Sequence, residues 1–114
     1  MIYKLLRAEE WAEIQAQACF KGSPVDQSDG FIHFSTPAQV RETAAKHYAG
    51  AADLVLAEVD SARLALALMW EPSRGGKFFP HLYAEILLIA INRTWPLPLG
   101  PDGRHVFPED LPGL

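Results

Sequence analysis

Two short polar clusters on apolar segments carry whatever chemistry this chain performs: Asp29-Gly30-Phe31-Ile32-His33-Phe34-Ser35-Thr36-Pro37 and Phe79-Pro80-His81-Leu82-Tyr83. Side chains alternate between the two faces of a strand, so Phe31, His33 and Ser35 share one face while Ile32 and Phe34 point to the core. By the same rule His81, Tyr83 and Glu85 share a face opposite Leu82, Ala84 and Ile86. Imidazole and hydroxyl groups on two apolar strands need many hydrogen-bond partners, and a common polar cleft supplies them. The competing reading is that each imidazole bonds a nearby carbonyl or loop carboxylate. Ser35 and Thr36 precede a helix start, where free N–H groups attract anions, although Thr36 acting as a plain cap accounts for the same residues. Glu71, beside Trp70 at a predicted strand end, is a candidate acid or base, and so is Glu85 within an apolar run. His33, His81 and Glu71 number three potential metal ligands, but no close-spaced ligand pair is present and no metal site is expected.

The elements that must position these groups follow from periodicity and punctuation. Ile2 to Leu6 reads as a first strand. Trp11, Ile14, Ala18 and Cys19 form a helical stripe, on which Cys19 is a small apolar filler. Lys21 to Gly30 carries the Gly, Ser, Pro and Asp of a loop. Thr36, Pro37 and Gln39 open a helix, with a capping hydroxyl, proline at the first position and a capping-box partner. Val40, Ala44 and His47 share a face of that helix, which closes at Tyr48-Ala49-Gly50. Leu54 to Val59 is apolar enough for a strand covered on both faces. Leu64 to Trp70 alternates large and small residues and reads as a strand, and Pro72 to Lys77 as a Gly-rich loop. Leu82 to Asn92 is the longest strand candidate. From about Trp95 the chain is rich in proline, so an extended tail is expected. Trp11, Trp70 and Trp95 are expected to anchor the core, with Trp70 the best placed to line a pocket. Two early helices and later strands predict an α+β class with a mixed, mainly antiparallel sheet arrangement.

The 114 residues suit one domain, expected over 1–114, with 49% hydrophobic and 21% charged residues. A net charge of -4 with scattered basic residues argues against general nucleic-acid binding. The apolar runs are too short for a membrane span, and the N-terminal residues lack signal-peptide features. With Cys19 alone no internal disulfide forms, so a cytoplasmic location is expected. The oligomeric state is open.

Ile2-Tyr3-Lys4, Trp11, the run from Asp29 to Thr36, Gln39, the Thr43 to Tyr48 region, Trp70-Glu71 and Phe79 to Tyr83 together resemble the DUF952 family of small bacterial proteins. The resemblance covers nearly the whole chain. It implies a fold similar to the ADP-ribosyltransferase fold, in which two small sheets form a cleft that holds NAD in active members of the larger superfamily. In those enzymes a His or Arg on the first strand, a Tyr or Ser on a later strand and a Glu on another carry the reaction. Phe31 to Thr36 then resembles the strand that leads into a helix packed by nicotinamide, and Phe79 to Glu85 a later cleft strand, with Glu85 or Glu71 in the glutamate role. Tyr3 and Lys4 stand where an active enzyme has His or Arg, and Ala84 where members of the family usually have glycine. The polar cleft and the resemblance together imply a small-molecule or nucleotide-binding module, with His33, Ser35, Thr36, His81, Tyr83, Trp70 and Phe31 around the ligand. The alternative it implies is an NAD-dependent ADP-ribosyltransferase-like or NAD-cleaving enzyme. There Glu71 or Glu85 stabilises an oxocarbenium-like state, and Phe31, Tyr83 or Trp70 stacks on nicotinamide.

Overall fold

A computed structural model describes residues 1–109 and Leu111. Its element order is β1 (Ile2–Leu6), α1 (Ala8–Gln17), β2 (Cys19–Phe20), α2 (Pro24–Asp29), β3 (Ile32–His33), α3 (Pro37–His47), β4 (Leu54–Val59), β5 (Leu68–Pro72), β6 (Phe78–Leu82), β7 (Ile86–Leu87) and β8 (Ile91–Leu97). The α+β class holds, but the strands form three antiparallel sheets rather than two: β1-β4-β8, β2-β7 and β3-β6-β5.

The β1-β4-β8 sheet separates two apolar clusters. Alternation puts Ile2 and Leu6 of β1 with Ala57 and Val59 of β4 on one face, against Ile14, Phe20, Ile32, Phe34, Leu82 and Ile86. Tyr3, Leu5, Leu54, Leu56 and Leu97 cover the other face against Val40 and Ala44 of α3, with Phe107 and Leu111 from the proline-rich region. That region is not wholly extended chain: Trp95, Pro96 and Leu97 belong to β8 and pair with Leu56, Val55 and Leu54. Pro96 is tolerated because β8 is an edge strand.

Several sequence expectations change. Lys21 to Gly30 is not all loop. Ser23 and Asp26 form a capping box (Ser23 N–H to Asp26 Oδ2, 2.9 Å; Asp26 N–H to Ser23 Oγ, 3.3 Å) with Pro24 at the first helical position, so α2 becomes a third helix. Helix α1 ends at Gln17, where Ala18 takes a left-handed φ of 64°, and Cys19 leaves the helical stripe to pair with Leu87. Leu64 to Trp70 is not one strand: a 3-10 turn covers Ala65–Ala67, and the strand starts only at Leu68. The expected long strand from Leu82 to Asn92 is divided among β6, β7, a 3-10 turn and β8, which lie in three different sheets.

Two connections place the site. The backbones of Tyr3 and Ser35 exchange both N–H···O bonds at 2.8 Å, joining β1 to the chain leaving β3. Gln39 accepts from the Thr36 N–H at 3.1 Å and donates to the Phe78 carbonyl at 2.8 Å, tying the start of α3 to β6. Pro80 sits in the middle strand β6, where its carbonyl accepts from Phe34 N–H at 3.0 Å. Its missing N–H lies on that same side, where β3 has already ended, so the β5 ladder loses nothing.

Gly22 leads into α2 with φ +113°, and a Cβ there would lie 2.7 Å from the Asp26 Cβ. Gly50 has φ +73° with open space around it. Gly22→Ala is therefore expected to cost about 3 kcal/mol in urea unfolding and Gly50→Ala about 1 kcal/mol. Equal costs would show that α2 yields freely around position 22.

Candidate functional site

A cleft of about 980 Å³ opens between β1, α1, α2, the β3–α3 connection and β6, and Lys4, Asp26, His33, Ser35, Tyr48 and His81 are among its lining residues. That volume lies at the upper end of ordinary small-ligand pockets.

Its floor is an ionic network around Asp26, a side chain only 1% exposed. Lys4 lies on the Ile2–Leu6 face of β1, where a charge must find a partner, and its Nζ donates to Asp26 Oδ2 at 2.9 Å. The same oxygen receives the Ser23 N–H. Asp26 Oδ1 takes the His33 backbone N–H at 3.1 Å and faces His33 Nδ1 at 2.6 Å. His33 Nε2 lies 2.9 Å from Asp29 Oδ2, so the ring spans two carboxylates of α2. Burial alone would raise the Asp26 pKa, but the His33 hydrogen bond and the charge and hydrogen bond of Lys4 outweigh it and hold the carboxyl well below the usual range. Burial lowers the Lys4 pKa, opposed by Asp26. At the cleft wall, burial and then the neighbouring carboxylates of Glu10 and Asp26 push the Tyr48 phenol up to about 12.

A second group adjoins the first across the β3–β6 ladder, where His33 and His81 are register partners with rings 5.6 Å apart. His81 is 4% exposed, and its Nδ1 lies 2.8 Å from Glu71 Oε1 on β5. The Tyr83 hydroxyl donates to that same oxygen at 2.8 Å. These two bonds, Tyr83 first, lower the Glu71 pKa, and the Glu71 carboxylate in turn raises that of Tyr83. A carboxylate only accepts, so His81 Nδ1 donates to it. Phe31 stacks on His81 at 4.0 Å and also meets His33 at 4.7 Å and Tyr83 at 5.3 Å.

The structure thus brings His33, Ser35 and His81 to the cleft, with Phe31, Glu71 and Tyr83 gathered around the His81 ring. Ser35 is turned to Thr43, its Oγ 2.9 Å from Thr43 Oγ1. Three predicted residues are not brought in. Thr36 serves the start of α3. Trp70 alternates with Met69 and Glu71, so it faces away from His81 and is 47% exposed rather than a core anchor or pocket wall. Glu85 is exposed, because β6 ends at Leu82 and the face that His81, Tyr83 and Glu85 were expected to share is not formed. Sequence reasoning missed Lys4, Asp26, Asp29, Arg7 and Tyr48. The signals for two of them were present: a lysine alternating with Ile2 and Leu6, and the Ser23-Pro24-Val25-Asp26 cap.

NAD, which the resemblance implies, would bring a pyrophosphate into this cleft. The lining carries the carboxylates of Glu9, Glu10, Glu13, Asp26 and Asp29. Of its lysine and arginine, Lys4 is bound to Asp26, while the Arg7 guanidinium lies 5.2 Å from the centre of the Tyr48 ring. A pyrophosphate needs convergent cations or free backbone N–H groups. This lining does not fit one.

Comparison with known proteins places the chain. The profile of DUF952, described as a protein of unknown function, matches residues 5–94, and the chain belongs to that family. Among solved structures, the crystal structure of protein CC0527 from Caulobacter crescentus is similar at 48% identity over 92% of each chain, with a TM-score of 0.89. The solution structure of CC0527 is similar at 48% identity over 90% of this chain and 89% of that one, with a TM-score of 0.82. No curated protein is significantly similar. Among the described residues no helix is long and apolar enough to cross a membrane.

Asp26→Asn leaves Lys4 as an unpaired buried charge and is expected to cost about 3–5 kcal/mol in urea unfolding. A carboxyl whose folded pKa lies below its unfolded value contributes stability above the unfolded value and loses it as pH falls. Wild-type stability should therefore drop below about pH 4, and the variant should show a shallower drop. Parallel acid profiles would show that Asp26 is not the titrating anchor. Separately, Tyr83→Phe removes the first cause of the low Glu71 pKa, so the Glu71 carboxyl followed by ¹³C NMR should titrate at higher pH. An unchanged titration would break the assigned hydrogen bond.

Proposed function

We propose that the protein is a binding module for a small polar molecule, neutral or cationic, of the size and hydrogen-bonding capacity of a nucleoside. One observation carries this reading: Lys4, Asp26 and His33, from three separate elements, are locked together on the floor of one cleft of ligand size. A buried ionic network is costly to build for stability alone, since apolar residues of similar volume often do as well. His33 remains half-buried, so its ring, held by Asp26 and Asp29, is within reach of an occupant. The acidic lining selects against phosphates and favours uncharged or positively charged ligands. The resemblance to the ADP-ribosyltransferase fold supports a cleft of this kind, and the single Cys19 supports a cytoplasmic setting. NAD cleavage stands second. Glycosidic chemistry needs a carboxylate beside the ribose, whereas Glu71 is engaged by Tyr83 and His81 and is not among the cleft lining.

Titration with adenosine, nicotinamide riboside, NAD and inorganic pyrophosphate, followed by amide NMR and melting temperature, tests the proposal. The two nucleosides should shift the His33 and Tyr48 amides and raise the melting temperature. Pyrophosphate and NAD should bind at least about tenfold more weakly, and His33→Ala, which releases the Asp26 and Asp29 carboxylates, should weaken nucleoside binding by about tenfold. Tighter binding of NAD than of either nucleoside, or nicotinamide release abolished by Glu71→Gln, would replace this reading with the enzymatic one.

A further inference from the structure

The polar groups around the cleft are matched almost throughout, and one exception stands out. Among the described residues, His81 Nε2 is the buried side-chain nitrogen or oxygen without a hydrogen-bond partner. Leaving such a group unmatched costs free energy, and native structures rarely do so without a reason.

The state of that nitrogen follows from its neighbours. The Tyr83 hydroxyl and His81 Nδ1 both meet Glu71 Oε1, and the lowered Glu71 pKa keeps the carboxylate an acceptor. Nδ1 therefore carries the hydrogen, and in the neutral form of the ring Nε2 is a bare lone pair. β6 is the middle strand of its sheet, with Glu71 on one neighbour and His33 on the other. Since Nδ1 is turned to β5, Nε2 lies on the other side of the ring, and His81 lines the cleft with His33. Phe31 stacks on one face of the ring at 4.0 Å and 25° between planes, whereas the Nε2 lone pair lies in the ring plane.

We infer that His81 Nε2 accepts a hydrogen bond from a hydroxyl or amide N–H of the ligand. This rests on the cleft-binding reading above and narrows it to ligands with a donor group. Glu71 is a positioning residue here: it fixes the tautomer and turns the lone pair away from β5.

One measurement on the intact protein tests the lone pair without a ligand. At about pH 8.5, two units above the ordinary imidazole value, ¹⁵N NMR should show His81 Nε2 without hydrogen and Nδ1 with it. A protonated Nε2 overturns the inference. The ligand's part is tested by adding adenosine or its 2′,3′-di-O-methyl derivative and following both His33 and His81 nitrogens. The inference expects the Nε2 resonance to move with adenosine and much less with the methylated compound. If His33 responds while Nε2 stays still, the inference fails and the cleft reading survives. If neither nucleoside moves either ring, both fail.

Discussion

Asp26 holds the cleft end of the protein together because of a simple accounting of donors. A buried carboxylate has room for about four hydrogen bonds and is tolerated only if they are filled. Here Lys4 comes from β1, Ser23 from the start of α2, and the backbone N–H and Nδ1 of His33 from β3. One side chain therefore fixes the relative positions of three elements that share few apolar contacts at that point. The capping box that starts α2 and the ion pair that docks β1 use the same oxygen, so the helix forms best where the strand is already in place.

The two imidazoles illustrate different uses of the same group. His33 has both ring nitrogens occupied by carboxylates, which hold its half-buried ring rigidly within reach of the cleft. His81 is buried, oriented by Glu71 and left with one nitrogen open. Adjacent strands bring the rings together, and Phe31 packs between them and Tyr83, so the cluster behaves as one aromatic unit with a polar interior. The sheet that carries it contributes little to either apolar cluster beyond Ile32 and Leu82, with Phe34 just past β3.

Much of this was legible in the residues, and the failures have physical causes. Thr36-Pro37 with Gln39 was readable as a helix start, and Ser23-Pro24 with Asp26 has the same grammar. It was obscured by the glycines and charges around it, and with it went the central carboxylate. The alternation of Ile32, His33 and Phe34 correctly separated core from cleft, because a two-residue strand still obeys the pleat. Leu64 to Trp70 and Leu82 to Asn92 misled because continuous apolar character fixes neither conformation nor burial, and Leu66, Met69 and Ile89 stand exposed. The chain from Leu82 to Ile91 passes through three sheets, and only tertiary packing of Ile86 and Ala90 dictates those bends. Glu85 was lost from the site by the same error. The family membership was legible from the two polar clusters with Tyr3, Lys4 and Trp11, although the profile itself runs over residues 5–94.

The strand order β1-β4-β8 also bears on how the chain is made. On a ribosome, β4 can pair with β1 as soon as Val59 emerges, yet its other edge stays bare until Ile91 to Leu97 follow. That interval is about thirty residues, or on the order of a few seconds of translation. During it an apolar strand flank is offered to any extended segment nearby, including another nascent copy. The β5–β6 hairpin and the short β7 are made within the same interval, so selection on this sequence extends to a half-built intermediate as well as to the finished molecule.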